Sequence, residues 1–117
     1  MKNKRAVGTQ YEQIAADYLI MQGYQILEKN FSCRQGEIDL IAKDGEWLVF
    51  VEVKYRKTTA FGMPAEAVDK RKQQRIYRAA RQYIYQSGYR QEQSCRFDVV
   101  VILGEEISLI RDAFGGV

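Results

Sequence analysis

Histidine is absent from this chain of 117 residues, which removes the usual general base and, with it, the Ser-His and Cys-His nucleophile pairs. Its two cysteines, Cys33 and Cys95, stand far apart, so the usual zinc and copper ligand sets cannot be assembled either. In a chain without a secretory signal they read as reduced thiols, buried or incidental. Proline is limited to Pro64. No linker, repeat or low-complexity stretch divides the sequence, and its length suits one domain with a core of its own. Long hydrophobic runs are missing too. The longest, such as residues 99–103, are far too short to span a bilayer, and Lys2, Lys4 and Arg5 lead into no apolar segment of the kind a signal peptide carries. A cytoplasmic protein without membrane contact is expected.

What is present is a segment almost without acids. Between Asp69 and Arg90 stand Lys70, Arg71, Lys72, Arg75, Arg78, Arg81 and Arg90 against Asp69 alone, although the net charge of the whole chain is only +3. Ala65, Val68, Ile76, Ala79, Ala80, Tyr83 and Ile84 recur there at helical spacing, which predicts a helix with that stripe buried. Arg71, Arg75 and Arg78 then share an outward stripe close to Tyr85. Such a stripe can carry a phosphate backbone; it can equally be a solvated helix face. Lys72 falls inside the apolar stripe, and snorkelling is expected of it rather than a turn toward the acidic residues. Tyr77, Tyr83, Tyr85 and Tyr89 are expected to serve core and interface rather than to stack bases.

The remaining patterns give the order αβββαββ. Thr9 to Gln22 is an amphipathic helix with Tyr11, Ile14, Ala15, Tyr18 and Leu19 inward, stopped by Gly23. Strands are predicted at 24–32, 37–43 and 46–55, then a loop with Thr58, Thr59 and Gly62, the basic helix, and strands at 96–103 and 107–111. A strand, helix, strand crossover makes the third and fourth strands parallel. The class is therefore α/β, a mixed sheet with helices packed against it. Arg96 and Asp98 are read as a buried structural pair.

The most informative stretch is GEIDLIAKDGEWLVFVEVKYR, residues 36–56. With Asp44-Gly45 as a two-residue hairpin loop, Asp39 lies opposite Phe50 and Glu37 opposite Glu52. Parity puts Ile38, Leu40, Ala42, Trp47, Val49, Val51 and Val53 on one face and Glu37, Asp39, Ile41, Leu48, Phe50, Glu52 and Lys54 on the other. Asp39 and Glu52 become diagonal neighbours, roughly 7 Å apart at the backbone. Like charges at such range repel by about 3 to 4 kcal/mol per pair at an effective dielectric of about 20, a large part of a fold's stability of roughly 5 to 15 kcal/mol. Lys54 offsets part of this, and a divalent cation would offset more; carboxylate oxygens select Mg²⁺, Mn²⁺ or Ca²⁺. Flanked by carboxylates alone, Lys54 should have a raised pKa. Glu37 shares the face, or pairs with Arg34 or Arg56.

Asp39 followed by Glu52-Val53-Lys54 resembles the metal-binding core of the PD-(D/E)xK nuclease superfamily, whose restriction-endonuclease-like core is αβββαβ. Ile38 stands where the superfamily name has Pro, a position with no obvious chemical duty. A closer match runs along nearly the whole chain: Gly8, Glu12, Ala15-Ala16, Tyr18-Leu19, Gly23-Tyr24, Ile26-Leu27, Asn30, GEIDLIA at 36–42, FVEVKYR at 50–56, Phe61-Gly62, Ala67-Val68, Lys72 and RFDVV at 96–100. These look like the bacterial YraN family of endonuclease-like proteins, related to archaeal Holliday-junction resolvases. The resemblance implies a Mg²⁺ (or Mn²⁺) held by Asp39, Glu52 and the carbonyl of Val53, with Glu12 from the first helix as a further acid, and Lys54 stabilising charge in the transition state. It implies phosphate contacts by Arg56, Lys72, Arg71, Arg75 and Arg78, and DNA rather than RNA as substrate, branched or junction DNA included. By analogy it also implies a symmetric homodimer, because one small domain has one active site and a junction needs two cuts. The competing reading is a nucleic-acid-binding module of DNA repair or recombination that does not cut; a third is a protein-interaction subunit with no nucleic-acid contact.

Overall fold

Gly23, at a φ of 96°, ends the first helix where the sequence places its stop. The computed structural model describes residues 4–57 and 68–114, with side chains from Gln10 onward. The elements are α1 (Lys4–Met21), β1 (Gln25–Cys33), β2 (Gly36–Asp44), β3 (Trp47–Arg56), α2 (Lys70–Gln86), β4 (Cys95–Leu103) and β5 (Glu106–Ile110). The five strands form one sheet in sequence order, antiparallel throughout except for the parallel β3–β4 pair that α2 bridges. This is the αβββαβ arrangement expected, with β5 added at the edge. The loop around Thr58, Thr59 and Gly62, and Ala65 of the predicted helix stripe, lie outside the described residues. Among the described residues no helix is long and apolar enough to cross a membrane.

Alternation along β3 and β4 sends apolar side chains to both faces, so each face needs a helix. Ala15, Ala16 and Leu19 of α1 meet Leu40, Ala42, Val49, Val51, Val100 and Ile102. On the opposite face, Ile76, Ala79, Ala80 and Tyr83 of α2 meet Ile41, Leu48, Phe50, Val99 and Val101. At about 1.5 to 3 kcal/mol per large apolar side chain buried, these two layers supply the main drive to fold. α1 buries less than its pattern promised. Ile14 is 41% exposed, with Ile20 and Met21 also outside, while Ala16 takes a place in the core. Small residues in its buried stripe let the helix lie close to the sheet.

Two features of the hairpin differ from the sequence-based expectation. The loop is Gly45-Glu46 rather than Asp44-Gly45, because Asp44 pairs with Trp47 and its carboxylate accepts from Arg96 Nη2 at 2.8 Å. Gly45, at a φ of 62°, takes the first loop position, where type II′ turns want glycine. Ile41 is therefore opposite Phe50, and continuing that count brings Asp39 level with Glu52, closer than the expected diagonal. The second difference is a break in parity at Asp39. Ile38 joins the α2-side core with Ile41, while Leu40 between them faces α1. On β1, Lys29 pairs with Leu40 and Phe31 with Ile38, which sets Asn30 opposite Asp39. Asn30 is left-handed at a φ of 53°, a conformation asparagine tolerates better than most residues. Trp47, also assigned to the α1 face, is 43% exposed, and the Arg96 guanidinium lies over its ring.

Gly36, at the start of β2, brings the β1–β2 turn against α2. A Cβ there would meet Arg75 Cβ at 3.2 Å and the Arg75 carbonyl oxygen at 3.3 Å. Because helix backbone cannot yield as a side-chain tip can, Gly36→Ala should push the turn off the helix at a cost of about 1 to 2 kcal/mol. Thermal denaturation beside the parent checks this, and an unchanged midpoint would show that the turn is free to move.

Candidate active site

The β2–β3 ladder runs as far as Leu40–Val51, and beyond it the strands part. In the fork, the Val53 N–H donates to Asp39 Oδ2 at 2.8 Å, so a side chain stands where a backbone carbonyl would continue the ladder. The kink opposite Asn30 turns Asp39 into this position. Glu52 is buried, with 6% of its side chain exposed. Its Oε1 takes Lys72 Nζ at 2.5 Å and Lys54 Nζ at 3.6 Å. Glu12 reaches in from α1, next to Tyr11, whose ring stacks on Tyr55 of β3 at 3.8 Å. Glu12 stands beside Asp39 and Asn30, both of which act on its ionisation, and its Oε1 is buried without a hydrogen-bond partner.

Three acids packed together resist ionisation. Burial first, then the charge of Glu52, pushes the Asp39 carboxyl up from its ordinary value to about 8, although the Val53 N–H pulls it down. Glu12 is also raised, chiefly by burial, with the neighbouring Asp39 and Asn30 side chains opposing.

The lysines correct two expectations. Lys72 does not snorkel outward but turns into the acidic cluster. Asp69 caps α2 by accepting from the Lys72 N–H at 2.8 Å, which fixes the first helical turn so that this side chain reaches Glu52. Burial works against its charge, but bonding to Glu52 outweighs that and its pKa is raised. The Lys54 pKa is lowered rather than raised, by burial first and then by the Lys72 ammonium beside it, with Glu52 opposing. Sequence reasoning weighed the carboxylates around Lys54 and missed a second ammonium on the same oxygen.

The profile of the family described as Uncharacterised protein family UPF0102 matches residues 11–102. The chain belongs to family UPF0102. A UPF0102 protein of Lachnoclostridium phytofermentans is 50% identical over 112 residues, covering 96% of this chain and 95% of its own. One from Caldanaerobacter subterraneus is 53% identical over 100 residues, 86% of this chain and 81% of its own. One from Stutzerimonas stutzeri is 42% identical over 118 residues, 97% and 98% of the two chains. The matched span of UPF0102 runs from the residue before Glu12 to the end of β4, so it includes every acid and lysine of the fork.

The other residues expected at the site divide into two groups in this UPF0102 chain. Arg71 and Arg75 line a cleft of about 540 Å³ with Lys72, Gly36 and Glu37, and Arg78 continues their exposed stripe. Arg56 Nη1 donates to the Tyr55 carbonyl at 2.7 Å, and its charge acts on Lys54. Arg96 and Asp98 do form the expected buried pair, at 2.9 Å, within a larger network that the sequence did not reveal. Asp98, fully buried, accepts from Tyr24 Oη at 2.8 Å and from the Asp112 N–H at 2.9 Å as well. Asn30 was the other omission, and its signal was an asparagine amid strand residues.

The donor set fits a hard divalent cation. It offers only oxygen ligands, one of them the unpartnered Glu12 Oε1. Among the described residues no three carboxylate or thiol side chains close into a ready cage, and the inner oxygens are held by the chain's own donors, Lys72 and Lys54 on Glu52 and the Val53 N–H on Asp39.

Proposed function

We propose that this UPF0102 protein is a metal-dependent endonuclease that hydrolyses phosphodiester bonds in DNA, branched or junction DNA included. The observation that carries the reading is the fork: Asp39, Glu52 and the unpartnered Glu12 Oε1 converge with Lys54 and Lys72 beside a basic cleft. A structural ion-pair network has no use for a third carboxylate, so the excess of acid points to a cation. Asp39, Glu52 and the Val53 carbonyl would hold it, with Glu12 behind them, and it would supply Lewis-acid polarisation of the phosphodiester and a more acidic water.

The protein's own groups do the rest. Lys54 is anchored beside Glu52 and largely shielded from water, where a positive charge stabilises a developing phosphoryl dianion far better than it would in solvent. Its lowered pKa also makes it a better proton donor to the leaving oxygen than an ordinary lysine. Lys72 and the arginines of the α2 stripe orient the phosphate backbone over the fork, as point charges and forked donors respectively.

The test is incubation of the purified protein, beside its Lys54→Ala variant, with labelled four-way junction, flap, single-stranded and duplex DNA in Mg²⁺, Mn²⁺ and EDTA. Metal-dependent cutting that the variant loses by about 100-fold or more is the expected result. Binding without cutting under every condition would replace the enzyme by a non-catalytic nucleic-acid-binding module.

A further inference from the structure

Tyr85 is 83% exposed, an unusual position for an aromatic ring whose helix neighbours Ile76, Ala79, Ala80 and Tyr83 are all buried. It stands at the rim of a cleft. With Tyr89, Arg78, Arg81 and Gln35 it lines a cleft of about 620 Å³ along the second half of α2. This cleft lies along the same helix as the one beside the fork. Arg71, Arg75, Arg78, Gln82 and Tyr85 follow one another at helical spacings of three and four, so they form one stripe. The β1–β2 turn walls both clefts, Gln35 in one and Gly36 with Glu37 in the other. The helix itself, KRKQQRIYRAARQYIYQ, contains no acidic residue.

We infer that the α2 groove is a track for a single-stranded nucleic acid, phosphates along Arg71, Arg75 and Arg78 and a base stacked on Tyr85, leading into the fork at Lys72. This assignment rests on the nuclease reading for its direction, toward the fork, but not for its chemistry. Duplex recognition through phosphates needs cations alone, and an exposed ring adds nothing to it. A single strand offers unpaired π-faces, and the combination that holds it is a basic groove interleaved with aromatic side chains. The ring and the lysine are thirteen residues apart on a helix rising about 1.5 Å per residue. That is about 20 Å, the length of a few nucleotides, so the stacked base is not the one at the fork. Tyr89, with Lys43 Nζ 5.6 Å from its ring centroid, sits beside Tyr85 in the same cleft, a second ring backed by a cation.

The experiment measures anisotropy of labelled single strands of about 20 nucleotides, in DNA and RNA forms, and of the matching duplex. Parent, Tyr85→Ala, Tyr85→Trp and Arg78→Ala are compared in EDTA across a salt series. An exposed ring contributes little to folding, so the variants should fold. Tyr85→Ala should weaken single-strand binding by about 5- to 100-fold and leave duplex binding unchanged, and Tyr85→Trp should restore it. Arg78→Ala should reduce the salt slope by about one. A 2-aminopurine probe moved along the strand should be quenched at one position by the parent and not by Tyr85→Ala. Equal affinity of Tyr85→Ala and parent for single strands, or equal losses on single strand and duplex, would overturn the track. Its failure is separable from that of the nuclease reading. Tail binding through Tyr85 without any metal-dependent cutting keeps the track and removes the nuclease, whereas cutting with Tyr85→Ala unaffected does the reverse.

Discussion

Asp39→Asn should abolish metal-dependent cleavage while making the protein more stable than its parent at alkaline pH. Folded Asp39 has its pKa raised from the ordinary 3.8 to about 8, by burial first and then by Glu52. Between those values the native state binds more protons than the unfolded one, so stability falls as pH rises. The contribution is fully present below pH about 4 and lost as pH passes through about 8. Asparagine is neutral throughout and keeps a carbonyl oxygen for the Val53 N–H, so it avoids the repulsion without breaking the bond. A shift of about four pKa units sets an upper bound near 5 to 6 kcal/mol. Relaxation and the nearby lysines reduce this, and we expect about 1 to 3 kcal/mol at pH 9, or roughly 4 to 12 °C in Tm, with little difference near pH 4. Millimolar Mg²⁺ or Mn²⁺ should stabilise the parent, by about 2.7 kcal/mol at a hundredfold excess over Kd, and so raise its Tm, and should leave the variant nearly unmoved. Calorimetry across pH with and without metal checks all three statements. A variant that is less stable than the parent at pH 9, or that still cuts, would show that the fork is structural.

Asp98→Ala should do the opposite, unfolding much of the protein at physiological temperature. Asp98 is as buried as a residue can be, yet its surroundings are donors. Arg96 Nε at 2.9 Å, Arg96 Nη2 at 3.1 Å, Tyr24 Oη at 2.8 Å and the Asp112 N–H at 2.9 Å all converge on its carboxylate. Removal leaves Tyr24 and the backbone N–H without an acceptor, and Arg96 with only Asp44 and the Tyr24 hydroxyl to donate to. Stranding buried partners in this way costs about 3 to 5 kcal/mol, roughly a fifth or more of the 5 to 15 kcal/mol a domain has to lose. Asp98→Asn should be damaging too, since its amide would bring another donor to a place already crowded with them. Urea denaturation followed by circular dichroism measures the effect, and a change within about 0.5 kcal/mol would show that water repairs the network. The two aspartates are both acidic and both sequestered. Their neighbours decide which one the fold depends on and which one it tolerates.

Much of this architecture is legible in the sequence, because periodicity and turn chemistry act locally. The period-two runs of β2 and β3, the apolar run of β4 and the stop at Gly23 depend only on residues close in the chain, and these strands appear within a residue or two of their expected bounds, whereas α2 begins at Lys70, capped by Asp69, so that Val68 of the predicted stripe precedes the helix. The helix α1 was less legible. Ile14 fits an apolar stripe, but nothing local reveals that the sheet is covered by Ala15 and Ala16 and leaves Ile14 outside. At the fork, the identities of Asp39, Glu52 and Lys54 followed from parity and family resemblance, and their geometry did not. Asn30 bends β1 from the far side of β2, and Lys72 arrives from a helix eighteen residues downstream of Lys54. Charge balance at Lys54 depends on that lysine, which is why its pKa moves against the local expectation.

The register of the β2–β3 hairpin has a consequence for how the chain selects one structure. Sliding one strand past the other by two residues returns each apolar side chain to the face it started on, so hydrophobic burial is degenerate between the two alignments. The degeneracy is lifted by polar contacts at opposite ends of the hairpin. Asp44 is held by Arg96 at one end, and Asp39 is spliced onto the Val53 N–H at the other. The core thus chooses the faces and the two aspartates choose the alignment, one of them being the residue on which the proposed chemistry depends. A hairpin that slipped would keep its oil and lose its site.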